Sequence, residues 1–299
     1  MIKKCETYIY KQVGDCKIKA DLYRTENKMG IPPLIIYIHG GALIDGTKAD
    51  IDEHELALYL SNGFNILSID YRLAPETKLP EIIKDIQDVF KWARDNIKKI
   101  KICIDKVAVI GHSAGGYLTL MSGICFTPKP NVLVSFYGYG DIIGDWVSRP
   151  DPFYCQQPKV SEKESGRNIR GPIIAEPYNG RRKEKFYLFL RQNGLWPLEV
   201  SGYNPKEERD FFIPYCPLYN IDSSYPPTIL LHGNRDTDVP YEQSVLMERE
   251  LKKNNVNTLL FTINNGEHEF EKNKDDPQTQ EAFNQVLFYL RHYLTDKED

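Results

Sequence analysis

Residues 111–115 read Gly-His-Ser-Ala-Gly, a G-x-S-x-G pattern with Ser113 at its centre. Directly before it lies an apolar run, Val107 to Ile110, and after it a helix-compatible stretch, Gly116 to Cys125. A serine at a sharp strand-to-helix turn is exposed and uncrowded, and glycines two residues to either side permit the tight approach. The helix N-terminus then offers free N–H groups to a developing oxyanion. This context makes Ser113 a candidate nucleophile.

Such a serine needs a base, and the chain has six histidines. His39, His112 and His232 sit within turns or at strand ends, and His54 and His292 fall in helical patterns. His268 differs: it follows Asn264-Asn265-Gly266 in a loop after the apolar run Leu259 to Ile263. Loops at the C-terminal edge of a parallel sheet are where sites assemble, so His268 is the expected base. A carboxylate must orient the imidazole. The segment His232 to Pro240 offers Asp236 and Asp238. Asp236, near the middle of the turn, is preferred; Asp238 is expected to cap a helix starting near Pro240. The order Ser113, Asp236, His268 is that of one known triad arrangement. Donors for the oxyanion are expected from the N–H groups of Gly41 and Ala42, in the turn after the run Leu34 to Ile38, and from Ala114. Glu267 and Glu269 flank His268 and are expected to raise its pKa.

The elements around these residues alternate. Apolar runs at Leu34–Ile38, Phe64–Ile69, Val107–Ile110, Val132–Phe136, Thr228–Leu231 and Leu259–Ile263 fit strands covered on both faces. Helical periodicity separates them, most clearly over Pro80 to Ile100 and in the stripe from Phe283 to Leu294. The N-terminus reads as a hairpin about Gly14-Asp15. This predicts an α/β protein with a mostly parallel sheet and helices on both faces. The alternation breaks from Asp141 to Tyr215, which has no buried-strand run. So long a structureless loop is improbable, so residues 141–215 are expected to form an inserted helical cap, with a helix over Arg181 to Gln192. Residues 1–140 and 216–299 then form the catalytic domain.

Taken together, the sequence resembles the α/β-hydrolases of the carboxylesterase and hormone-sensitive-lipase-like kind. The resemblance rests on His39-Gly40-Gly41, on Asp70-Tyr71-Arg72-Leu73-Ala74-Pro75-Glu76, on Gly111 to Gly116, and on the Asp236 and His268 segments. It implies an eight-stranded α/β-hydrolase fold, an acyl-enzyme mechanism on small or medium carboxylic esters, and a bracing role for the Asp70–Glu76 block. Ala42 stands where a third glycine is usual. An amide-directed hydrolase on the same triad is the main alternative, and a non-catalytic binding protein a weaker one.

Composition narrows the rest. Among 299 residues, 38 Lys and Arg face 42 Asp and Glu, giving a net charge of −4 and no basic footprint for nucleic acid. No run is long enough for a membrane span. Six cysteines without a C-x-x-C pair suggest reduced thiols in a cytoplasmic protein. There is no H-E-x-x-H, and Gly46-Thr47-Lys48 reverses the end of a Walker A loop. No cofactor or metal is expected. The expected partner is a small-molecule ester, and a homodimer is left open.

Overall fold

The computed structural model describes residues 5–26, 30–168, 171–177 and 181–295. Its eight strands are β1 (Cys5–Val13), β2 (Cys16–Tyr23), β3 (Pro33–Ile38), β4 (Asn65–Ile69), β5 (Cys103–His112), β6 (Val132–Phe136), β7 (Thr228–Gly233) and β8 (Thr258–Ile263). They form one sheet in the order β1-β2-β4-β3-β5-β6-β7-β8. β1 and β2 pair antiparallel about a left-handed Gly14, and β2 meets β4 antiparallel. From β4 to β8 every pairing is parallel. This is the α/β-hydrolase fold.

The continuous apolar runs are the reason these strands lie inside. In β3, Leu34, Ile36 and Ile38 enter one core while Ile35 and Tyr37 enter the other. The first core is covered by α2 (Leu79–Asp95) and α4 (Ala114–Cys125), and by α10 (Glu242–Lys253). The second is covered by α1 (Glu53–Ser61) and α11 (Pro277–Leu294). The helix expected over Pro80–Ile100 is split. α2 ends at Asn96, whose side-chain Nδ2 donates to Trp92 O at 2.8 Å. A short polar side chain competes for backbone acceptors in this way, and α3 (Ile97–Ile100) restarts beyond it.

Between β6 and β7 the described residues contain only helices and turns: α5 (Asp145–Ser148), α6 (Glu162–Ser165), α7 (Arg181–Asn193), α8 (Trp196–Ser201), α9 (Arg209–Phe212) and short 3₁₀ turns. Among the described residues no helix is long and apolar enough to cross a membrane. The six cysteines are free thiols.

Candidate active site

β5 ends at His112 and α4 begins at Ala114, so Ser113 carries the whole reversal, at φ 55° and ψ −118°. A non-glycine residue at positive φ is strained, and such strain concentrates at functional sites. The surrounding glycines make the turn sterically possible. A Cβ on Gly115 would lie 2.0 Å from Ile38 O, and one on Gly111 would lie 2.3 Å from Gly115 O. Only hydrogen at these two positions lets α4 pack directly on the ends of β3 and β5. Ser113 N–H donates to Phe136 O at 2.9 Å, which ties the turn to β6.

The loops after β7 and β8 bring the other two candidates together. His268 Nδ1 lies 2.6 Å from Asp236 Oδ2. Asp236 Oδ1 accepts the N–H groups of Asp238 and Val239 at 2.8 and 2.9 Å, so the carboxylate is fixed by its own turn. A second imidazole, His232, approaches Asp236 Oδ2 at 3.2 Å through Nε2, which also bonds Val239 O at 3.0 Å. Burial opposes the Asp236 charge, but the His232 and His268 rings outweigh it and hold the carboxyl far below the usual carboxylate range. Burial likewise opposes charging of His268. The Asp236 hydrogen bond and then the Asp238 charge prevail, with Glu269 after them, and the ring's pKa is raised. The expected raising is thus present, but its principal sources are the two aspartates and not the flanking glutamates. Among the described residues no hydrogen bond joins Ser113 Oγ to His268. The Nε2 atom instead faces Asp238 Oδ2 at 3.5 Å. Catalytic hydrogen bonds of this kind often tighten only when substrate is bound.

Asp238 does not cap a helix. α10 starts at Glu242 behind Tyr241, with no side-chain cap. Asp238 Oδ1 is instead engaged by Tyr154 Oη (2.8 Å), Tyr187 Oη (2.5 Å) and Arg191 NH1 (2.8 Å). Arg191 is 1% exposed and also pairs with Asp151 at 2.6 Å. Its guanidinium lies over the Trp146, Tyr154 and Tyr187 rings. The sequence carried one signal of this. Arg191 closes an otherwise apolar and aromatic run, Phe186 to Leu190, and a cation there needs buried partners.

The turn after β3 lies against the elbow: a Cβ on Gly40 would be 3.5 Å from that of Ser113. Gly41, Ala42 and Leu43 all have positive φ (99°, 54° and 62°). At Gly41 a side chain would strike Asp45 O at 2.1 Å, so glycine is obligatory there. Ala42 is held by Trp196 Nε1 donating to its carbonyl at 2.8 Å, and Ala74 N–H donates to Leu43 O at 2.8 Å. Tyr71 Oη donates to the carbonyls of His39 and Gly40, and its ring stacks on His39 at 4.2 Å. Arg72 is ion-paired with buried Asp85 at 2.7 Å, while Glu76 accepts from Gly171 N–H. Within the Asp70–Glu76 block, Tyr71 and Ala74 therefore brace this turn. Among the described residues the N–H groups of Gly41 and Ala42 make no internal hydrogen bond. At the start of α4, Ala114 belongs to the first turn, whose N–H groups have no intrahelical acceptor.

A narrow cavity of about 10 Å³ opens beside Ser113, lined by Ala42, Tyr139, Trp146, Tyr187 and Trp196 among others. That is room for roughly one water. Behind the elbow lies a buried polar chamber that the sequence did not reveal. His112 Nδ1 contacts Tyr37 Oη at 3.0 Å and its Nε2 faces Glu55 at 3.5 Å. Burial pushes Glu55 up to about 8 and His112 down to about 3. Tyr137, whose ring is 4.4 Å from that of His268, donates to Glu271, which burial raises to about 7.

Comparison with known proteins agrees with this architecture. Residues 20–132 match the BD-FAE family, and residues 189–297 match the prolyl oligopeptidase family. An α/β-hydrolase superfamily protein of Enterococcus faecalis superposes with a TM-score of 0.74 at 24% identity, over 97% of this chain and 99% of its own. The chain is 27% identical to the esterase LipC of Mycobacterium tuberculosis, over 75% of this chain and 49% of that protein. It is 25% identical to the non-reducing polyketide synthase adrD of Penicillium rubens, over 89% of this chain. It spans only 12% of that synthase, and about half of LipC. The chain shares the α/β-hydrolase fold of these proteins.

Proposed function

We propose that the chain is a serine hydrolase cleaving small carboxylic esters through an acyl-enzyme. The observation that carries this reading is the 2.6 Å contact of His268 Nδ1 with Asp236, on loops that flank a strained serine. Asp236 fixes the tautomer in which Nδ1 holds the proton and Nε2 is free to accept one. Ser113 Oγ attacks the ester carbonyl as His268 Nε2 takes its proton. The N–H groups of Gly41, Ala42 and Ala114 receive the oxyanion. The C–O bond breaks, the alkoxide leaves with the proton from His268, and water activated by the same ring releases the acid. The aromatic cavity beside Ser113 favours a short acyl group. In this reading residues 141–215 are the cap, which supplies Trp146, Tyr187 and Trp196 to that cavity.

The match of residues 189–297 to the prolyl oligopeptidase family keeps amides as a second substrate class, since both reactions pass through the same oxyanion. Two measurements test the proposal. A fluorophosphonate should label Ser113 stoichiometrically and stop turnover, and p-nitrophenyl acetate should outpace a matched acetyl anilide. Absence of labelling would remove the serine mechanism. Preference for the anilide would reassign the substrate.

A further inference from the structure

We propose that Asp238 is a positioning residue for His268, acting at the ring nitrogen that exchanges protons, and that the Arg191 cluster of α7 and its neighbours sets how strongly it acts. The inference rests on the reading of His268 as the base and adds a second carboxylate to it.

The geometry separates the two aspartates cleanly. Asp236 holds Nδ1, while Asp238 Oδ2 stands 3.5 Å from Nε2. Nε2 carries a lone pair in the resting base and a proton after it has deprotonated Ser113. A carboxylate at that distance repels the lone pair and attracts the N–H⁺. Asp238 therefore favours the imidazolium, and it also competes with the serine and the leaving group for the Nε2 proton. Without partners of its own, its full attraction would fall on that proton. The other oxygen, Oδ1, is where its charge is spent, on Arg191 and on the hydroxyls of Tyr154 and Tyr187. Burial raises both tyrosines far above their ordinary range, so they remain donors. Asp238 also touches the triad through its backbone, since its N–H donates to Asp236 Oδ1 and its C=O accepts from Arg191. Segment 141–215 thus reaches the base through one carboxylate.

Other groups face the His268 ring as well. Asp236 comes from the same turn, Tyr137 from the end of β6 at 4.4 Å, and Glu269 from the ring's own loop. Glu271 and His112 lie behind, in the buried chamber. Neither Asp238→Asn nor Tyr154→Phe removes any of these groups, so a shift in the ring's titration reports the Nε2 side.

The test is the pH dependence of fluorophosphonate labelling of Ser113, followed by intact mass, alongside kcat/KM for p-nitrophenyl acetate. In the wild type the rate rises with pH as His268 loses its proton. Asp238→Asn removes the negative charge, so the midpoint should fall by about one pH unit; a charge within 4–6 Å shifts a pKa by one to three units and Arg191 offsets part of it. Tyr154→Phe strips one donor from Oδ1, strengthens the carboxylate, and should move the midpoint upward. A merely structural role would lower amplitudes or stability and leave both midpoints in place. An unchanged or raised midpoint in Asp238→Asn overturns the inference. Should that variant not fold, an unchanged or lowered midpoint in Tyr154→Phe does so alone. A wild type that does not label at any pH removes the underlying reading of Ser113 instead.

Discussion

The rim of the sheet and the helical segment 141–215 are built by opposite means. At the rim the backbone decides. Ser113, Gly41, Ala42 and Leu43 take positive φ, and Gly111 and Gly115 leave no room for a Cβ. In segment 141–215 side chains decide. One buried arginine gathers Asp151, Asp238 and three aromatic rings, and Trp196 reaches out to the Ala42 carbonyl. The difference assigns tasks. A backbone-determined turn can hold reacting atoms to the tolerance that chemistry needs, whereas a wall of side chains can be altered without moving them. If that is right, substitutions at the rim abolish reaction or fold, and substitutions in the helical segment change stability or selectivity while sparing the chemistry.

The largest effect is expected at the serine. Ser113→Ala should lower kcat by roughly 10⁵–10⁶ with the fold intact, by analogy with triads that act as a unit. Steady-state turnover of p-nitrophenyl acetate, with circular dichroism as the control, measures it. A loss below a hundredfold would detach Ser113 from the chemistry. The next rim prediction concerns stability. Gly115→Ala places a methyl 2.0 Å from Ile38 O and 2.6 Å from His39 O, both rigid backbone atoms. α4 must then lift from β3, at a cost of about 3 kcal/mol, the upper end for overpacking a rigid site. A denaturant midpoint close to wild type would show that the elbow is softer than its contacts imply.

The same division decides how much could be read from the sequence. The sheet was legible because its central strands are unbroken apolar runs, and the elbow because glycine and serine spacing is itself the constraint. Asp236 and His268 followed from their places after β7 and β8. The hidden part depends on contacts that local sequence does not encode. Asp238 has the composition of a helix cap, yet Tyr154, Tyr187 and Arg191, 47 to 84 residues away, claim its carboxylate. His232 reads as a strand-end residue, and only the folding of Asp236 back over it reveals a second imidazole on the Asp236 carboxylate. Glu55 and Glu271, from α1 and the turn before α11, lie near the elbow against His112 and Tyr137, partners distant in the chain.

Removing the keystone of the helical segment tests its side. Arg191→Met leaves Asp151 and Asp238 without their buried cation, and should cost about 3 kcal/mol, the lower end for breaking a buried pair because both aspartates retain some solvent contact. Arg191→Lys should recover little of this, since NH1 and NH2 serve different aspartates through a planar fork that an ammonium cannot copy. Thermal unfolding of the three proteins measures the series. Full rescue by lysine would mean that charge alone holds the segment to the rim.

The smallest and most selective effect is expected at the cavity wall. Trp146, Tyr187 and Trp196 each have their polar tip occupied: Trp146 Nε1 on Asp141 O, Tyr187 Oη on Asp238, Trp196 Nε1 on Ala42 O. Rotating any of them to admit a longer acyl chain breaks a hydrogen bond, so the wall should act as a fixed stop. Of the three, Trp146 is the one to truncate, because Trp196 supports the proposed oxyanion turn and Tyr187 bears on Asp238. Trp146→Ala should raise kcat/KM for p-nitrophenyl butyrate relative to acetate by about tenfold, the lower range for methylene discrimination in an apolar pocket. Acetate turnover and the rate of phosphonate labelling should change little, because no rim atom has moved. Equal loss on both esters would place Trp146 in support of the reacting groups, and the separation between a chemical rim and a selective wall would no longer hold.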